Sequence, residues 1–238
     1  MAAFSRKTGI LSLFLVCFLL LLAIPAPQAR AQDPGGEGWV KRSNGKTYNT
    51  YRRDAPGSDN AEVKLVGEVA ASPAQVFAVV TDYAEFPQFM PYIDYTRVIA
   101  KDQASPTENI FYVFFYVEPP LISPRYYTLK LTDEKDPDGD TNAFRSAWVQ
   151  ENGKYRLTPA DPSLQGKLKD TGDAVETRFN RGCWYLRPMP GGSGTQVTYY
   201  VWSDPGGSIP SWIANKANTV ALPKLWDALA ARLNKLYP

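Results

Sequence analysis

Between Asp94 and Trp202 the chain reads as strand after strand, and its longest helix-periodic stretch is held back to the end. The strand-like runs are "DYTRVIAKD", "NIFYVFFYVE", "RYYTLKLTDE", "NAFRSAWVQ", "AVETRFNRGCWYL" and "TQVTYYVW". Short loops between most of them predict an antiparallel meander. The exception is "YRLTPADPSLQGKLKDTGD", a longer polar stretch. In the second run Phe111, Val113, Phe115 and Val117 share one face, and Tyr112, Phe114 and Tyr116 share the other. That alternation predicts a sheet with one dry face and one wetter, hydroxyl-tipped face.

Asp204-Pro205-Gly206-Gly207 then stops the sheet, with Pro and Gly where a type II turn wants them. Pro210 and Ser211 open a helix carrying Trp212, Ile213, Ala217, Val220 and Ala221 on one side. Beyond Pro223 the stripe resumes as Leu225, Trp226, Leu229, Leu233 and Leu236. An interior proline removes one backbone hydrogen bond and bends the helix. A long amphipathic helix added last, across the dry face of a curved sheet, encloses space. The first half, with two asparagines and a β-branched pair, is the poorer helix former and is expected to open more easily.

Upstream, Asn44-Gly45 marks a hairpin and "EVKLVGEVA" alternates as a strand. Ser72, Pro73 and Gln75 form a helix start with a capping box, followed by Val76, Val79, Val80 and Tyr83 at helical spacing. Pro87 and Pro91 bracket a short turn beside Phe86, Phe89 and Met90.

The first residues follow a different logic. Arg6 and Lys7 precede "ILSLFLVCFLLLLAI", 15 nearly unbroken apolar residues, and Ala29-Arg30-Ala31 follows. This is the order of a secretory signal, with cleavage expected between Ala31 and Gln32. A bilayer-spanning anchor wants roughly 20 apolar residues. The expected organisation is a signal peptide over 1–31, a flexible tail over 32–37 and one domain over 38–238. Losing Arg6, Lys7 and Arg30 takes the basic residues from 26 to 23 against 24 acids, so the mature chain is near −1. With no dense basic stripe, nucleic-acid binding is not expected.

Residue counts exclude several chemistries. Cys183 is the one cysteine left after cleavage, so no internal disulfide forms and a buried thiol is expected. The chain has no histidine, which removes Ser-His-Asp and Cys-His catalysis and histidine-bearing zinc sites. "DPDGDTN" from Asp136 is not a calcium loop, since its sixth and twelfth positions are Thr141 and Ala147. "GGSGT" around Ser193 lacks the second glycine of a nucleophile elbow. No cofactor and no metal are expected.

Three segments carry a resemblance. They are "VGEVAASPAQVFAVVTDYAEFPQFMPYIDYTRVI", "YVEPPLISPRYYTLKL" and "GCWYLRPMPGGSGTQVTYYVWSDPGGSIPSWIANK". In that order they resemble a START-type domain of the helix-grip superfamily, which includes Bet v 1-like proteins and polyketide cyclases, as an exported, bacterial-type member. The resemblance implies an α+β helix-grip fold: a curved antiparallel sheet wrapped around the C-terminal helix, with an internal hydrophobic cavity. It implies a hydrophobic small-molecule partner such as a lipid, sterol, quinone or polyketide-like compound. Where the family often shows Arg-Asp after the Pro-rich segment, this chain has Arg125-Tyr126.

The candidate ligand contacts are Phe89 and Met90 in the short turn, and Phe111, Val113 and Phe115 on the dry face. Tyr127, Trp148, Trp184 and Tyr199 follow on later strands, and Trp212, Ile213 and Ala217 on the final helix. Phe115 and Val113 suit a cavity wall and a solid core equally well. Phe144 and Trp148 share a face that reads more as core. Gly182 suggests a bulge that would change which face Trp184 takes. Arg125, Arg145 and Arg178 read as solvated strand positions. Two function classes fit: non-catalytic binding or transport of a hydrophobic molecule outside the cytoplasmic membrane, and a cyclase-like enzyme using the same cavity. No paired carboxylate stands out for the second. A monomer, periplasmic or secreted, with transient contact to a membrane surface through Trp212, completes the expectation.

Overall fold

The computed structural model describes residues 36–120, 122–169, 171–209 and 211–238, with the backbone alone given for 211–219. The expected signal peptide and most of the tail therefore lie outside the described residues. So do the side chains of Trp212, Ile213 and Ala217, on which the expected opening of the first half of the helix depends.

A hairpin begins the fold. Strands β1 (Val40–Asn44) and β2 (Tyr48–Arg53) meet at Gly45, whose N–H donates to the Tyr48 carbonyl at 2.8 Å. Strand β3 (Glu62–Val69) leads into α1 (Pro73–Val80) and the single turn α2 (Phe86–Phe89). The meander follows: β4 (Ile93–Ser105), β5 (Glu108–Val117), β6 (Arg125–Lys135) and β7 (Phe144–Gln150). Then come β8 (Val175–Glu176), β9 (Phe179–Pro188), β10 (Thr195–Asp204) and α3 (Ser211–Leu236). Among the described residues these strands form one sheet in the order β1-β2-β3-β10-β9-β7-β6-β5-β4, with β8 beside β6. All its pairings are antiparallel except β6 with β8. The final strand thus returns beside the third, which lets two strand groups distant in sequence share one curved sheet. This is the helix-grip architecture.

Local chemistry accounts for the helices. Ser72 Oγ accepts from Gln75 N–H and Gln75 Oε1 accepts from Ser72 N–H, a reciprocal cap that fixes the start of α1. Helix α1 buries Val76, Val79 and Val80 against the inner face of the sheet. Helix α3 docks through Leu222, Trp226, Leu229 and Leu233, with Leu225 partly buried. The inferred stripe is corrected at two places: Val220 is 46% and Leu236 45% exposed. At 100° per residue, Val220 lies about 200° around the helix from Leu222, on the far side. Leu236 ends the last turn.

Among these side chains, Trp226 makes the closest approach to the backbone of the sheet. Its indole lies over Gly67 of β3, so close that a β-carbon there would stand 2.4 Å from the ring. Its N–H donates to Thr47 Oγ1 at 3.0 Å and its ring meets Tyr48, with centroids 5.6 Å apart. Gly206 serves differently: its φ of +66° turns the chain out of β10, and its N–H bonds Asp204 Oδ1 at 2.8 Å.

The outer face departs from expectation. Phe114 and Tyr116 are fully buried. Leu157, Leu164 and Leu168, from the stretch that reads as a polar loop, pack on them with Tyr126 and Ala174. The Tyr116 hydroxyl donates to the Lys169 carbonyl at 2.6 Å, so the hydroxyl tip that suggested water finds a backbone acceptor instead. Two arginines are also corrected. Arg145 is 1% exposed, its guanidinium held by Glu134 at 2.7 Å and Asp138 at 2.6 Å. Arg125 is buried too, while Arg178 remains at the surface beside Asp204. Cys183 is buried, as expected.

Because Trp226 fits only over a bare backbone, Gly67→Ala should cost about 1–3 kcal/mol in urea denaturation. Trp226→Leu in the same background should recover part of that loss.

Candidate functional site

The register of the strands decides which side chains can meet. Partners Val113 and Leu129, Leu131 and Trp148, Ser146 and Trp184, and Trp184 and Tyr199 run across the inner face. Gly182 does not mark a bulge, because it pairs directly with Trp148 and Val201 in unbroken ladders. Its missing side chain has another use. A β-carbon there would stand 2.3 Å from the Trp148 indole, so the glycine lets that ring lie flat on the sheet. Trp148 Nε1 then donates to Asn180 Oδ1 at 2.9 Å.

Between this face and the helices a cavity of about 100 Å³ remains. Six of the candidate residues border it: Met90, Phe115, Tyr127, Trp148, Trp184 and Tyr199. The rings among them form two contacting groups. Phe115 stacks on Tyr127 at 5.4 Å, and Tyr199 meets Trp184 at 4.5 Å and Trp148 at 5.8 Å. Burial pushes the Tyr127 and Tyr199 phenols well above their ordinary range, so both are neutral donors and acceptors.

Three candidates take other positions. Val113 is fully buried in the core. Phe111 packs edge-on against Tyr83 at 5.4 Å, and Phe89 against Phe86 at 5.8 Å. Trp212, Ile213 and Ala217 lie outside the described side chains. Sequence reading missed Leu129, Leu131 and Leu225 on the apolar wall, and Tyr83, Ser146 and Asn180 among its polar groups.

Tyr83 and Ser146 belong to a buried polar cluster. The Tyr83 hydroxyl donates to Asp133 Oδ1 at 2.7 Å and lies 3.1 Å from Ser146 Oγ. Asp133 is 4% exposed, and burial pushes its carboxyl up to about 6 despite the hydrogen bond from Tyr83. Burial, with the neighbouring Asp133 charge, raises Tyr83 well above 10. Among the described residues no cluster of acidic or cysteine side chains could hold a metal ion.

Arg125, at the position of the family's Arg-Asp pair, stays out of this wall. Its guanidinium donates to the carbonyls of Ser123 at 2.6 Å and Gly206 at 3.4 Å. It ties the Pro-rich lead-in to the Asp-Pro-Gly-Gly turn, while Tyr126 packs on the outer face.

Residues 69–230 match the model of the family described as polyketide cyclase/dehydrase and lipid transport. The chain belongs to that family. Within it, the fold is START-type. A STAR-related lipid transfer protein from Xanthomonas axonopodis is 26% identical, covers 83% of this chain and 99% of its own, and superposes with a TM-score of 0.64. Human StAR-related lipid transfer protein 5 is 13% identical, covers 86% and 90%, and gives 0.68. No curated protein matched by sequence.

Phe115→Trp tests the wall. In a chain with space before Phe115 it should reduce uptake of a hydrophobic probe and leave stability nearly unchanged. In a solid core it would cost about 1–3 kcal/mol and leave uptake alone.

Proposed function

We propose that this protein binds a lipid or other hydrophobic small molecule between the inner face of the sheet and α3, and carries it without altering it. The observation behind this reading is the aromatic and aliphatic wall of the cavity, set in a family fold whose neighbours are named as lipid transfer proteins. Such a wall supplies desolvation, and a few polar groups fix orientation. The cavity as it stands, about 100 Å³, is smaller than the roughly 300–1,000 Å³ of sites that hold drug-sized ligands. Loading therefore involves movement of the wall, and α3, laid over the cavity last, is the element placed to move.

Export is part of the same proposal: the charge, apolar core and Ala-x-Ala order of residues 1–31 supports a carrier acting outside the cytoplasmic membrane, periplasmic or secreted. A chain between membranes would load from a membrane surface. The second reading, a cyclase-like enzyme in the same cavity, is favoured by one observation. Asp133, buried and pushed up to about 6, stands behind the wall in hydrogen-bond contact with Tyr83, which borders the cavity and could relay a proton near neutral pH.

Mass spectrometry of the protein purified from an exporting host separates these readings. The denatured mass should correspond to a chain beginning at Gln32. The native mass should exceed it by a noncovalent hydrophobic compound that is recovered unchanged after incubation. A compound converted during incubation supports the enzyme, and no bound compound with no probe uptake removes the carrier.

A further inference from the structure

The polar cluster at the cavity wall can be read for the direction of its hydrogen bonds. Three groups are involved: the Tyr83 hydroxyl, the Ser146 hydroxyl and the Asp133 carboxyl, which are 3%, 0% and 4% exposed. Above about pH 6 the carboxyl is ionised and only accepts. Tyr83 has one proton, and it is directed at Asp133 Oδ1 across 2.7 Å. Ser146 also has one proton, and because Tyr83 spends its own on Asp133, the 3.1 Å contact between the two hydroxyls is made by Ser146 donating to the Tyr83 oxygen. Both protons are therefore committed within the cluster. What the two hydroxyls retain are lone pairs, and Tyr83 and Ser146 both border the cavity.

We propose that Tyr83 and Ser146 form a hydrogen-bond-accepting subsite for the alcohol hydroxyl of an otherwise apolar ligand, held in that polarity by Asp133 behind them. This rests on the carrier reading and adds the ligand's polar group to it. A ketone, ether or carboxylate would bring lone pairs to lone pairs, leaving buried acceptors opposed. An ammonium group would meet hydroxyl oxygens rather than the carboxylate, because Asp133 is not part of the cavity wall. It would also lose its hydration among Phe86, Phe115, Leu129 and Leu131. A neutral alcohol gives up least and supplies the missing donor. Sites built to bond a hydroxyl discriminate strongly against analogues lacking it.

The test uses matched probes of one chain length: 2-dodecanol, 2-dodecanone and dodecylamine, titrated against the full mature chain by displacement of a fluorescent fatty probe. The wild-type protein should bind the alcohol at least about tenfold more tightly than the ketone, and more tightly than the amine. Asp133→Asn adds amide donors to the cluster and frees a hydroxyl proton to face the cavity. It should bring the alcohol-to-ketone ratio close to one, a change of preference that general loosening of the fold would not produce. Ser146→Ala should lower alcohol affinity and spare the ketone. Equal or tighter binding of ketone or amine by the wild type would overturn the subsite, as would a ratio unmoved by Asp133→Asn. If the fatty probe itself fails to bind, the carrier reading falls and this inference with it.

Discussion

The sheet presents an apolar inner face that must be removed from water, and α1 and α3 cover it together, α3 through a contact centred on Trp226. That contact depends on Gly67, since any side chain there would enter the indole ring. With Trp226 pinned by Thr47 and Tyr48, the turns carrying Leu229 and Leu233 follow onto the core. The consequence for function is geometric. A helix laid over a curved sheet cannot touch it everywhere and leaves room beside the contact, where rings rather than small side chains fill the wall. Burial of apolar surface stabilises the fold at roughly 25 cal/mol per Å², so a cavity exists at a cost to that term and invites an apolar occupant.

The outer face explains why the sheet can be bulky on both sides. Residues 151–174 lay Leu157, Leu164 and Leu168 over Phe114 and Tyr116, and Arg145 is neutralised by Glu134 and Asp138 where the β6–β7 turn closes. A buried guanidinium with carboxylate partners is costly to break, because removing one partner strands a charge. These contacts hold the sheet from behind, so the inner face needs no solid filling to keep its shape.

Much of this was legible in the sequence. The strand succession, the Ser72–Gln75 cap, the short turn at Phe86–Phe89 and the late helix are local signals, and the resemblance of three segments to START-type domains implied the helix-grip fold. Phe115 and Trp148 were legible because alternation by two tells which side chains share a face, whereas Met90 was read from the short turn and Trp184 from its place in the resemblance. What alternation missed is instructive. Leu157, Leu164 and Leu168 are too sparse among polar neighbours to read as a cover, and only the tertiary fold brings them together. Arg125 and Arg145 were read as solvated because charge favours water, while their partners come from the neighbouring strand (Glu134), the β6–β7 turn (Asp138) and loops whose path the sequence does not state. Asp133 and Ser146 did carry a signal. Each occupies an inward position of its strand, after Tyr127, Leu129 and Leu131 and between Phe144 and Trp148. A charged residue at an inward position is the kind of local conflict that marks a functional group.

The central claim is that the inner face, not the outer one, holds the hydrophobic ligand. Photolabelling with a diazirine-bearing fatty alcohol, followed by mass-spectrometric mapping of the labelled residues, tests it directly. The account predicts labels on Phe115, Tyr127, Leu131, Trp148, Trp184 or Tyr199, competed away by unlabelled dodecanol. Labels confined to the outer face, at Trp39, Tyr112, Tyr155 or Trp202, would contradict it.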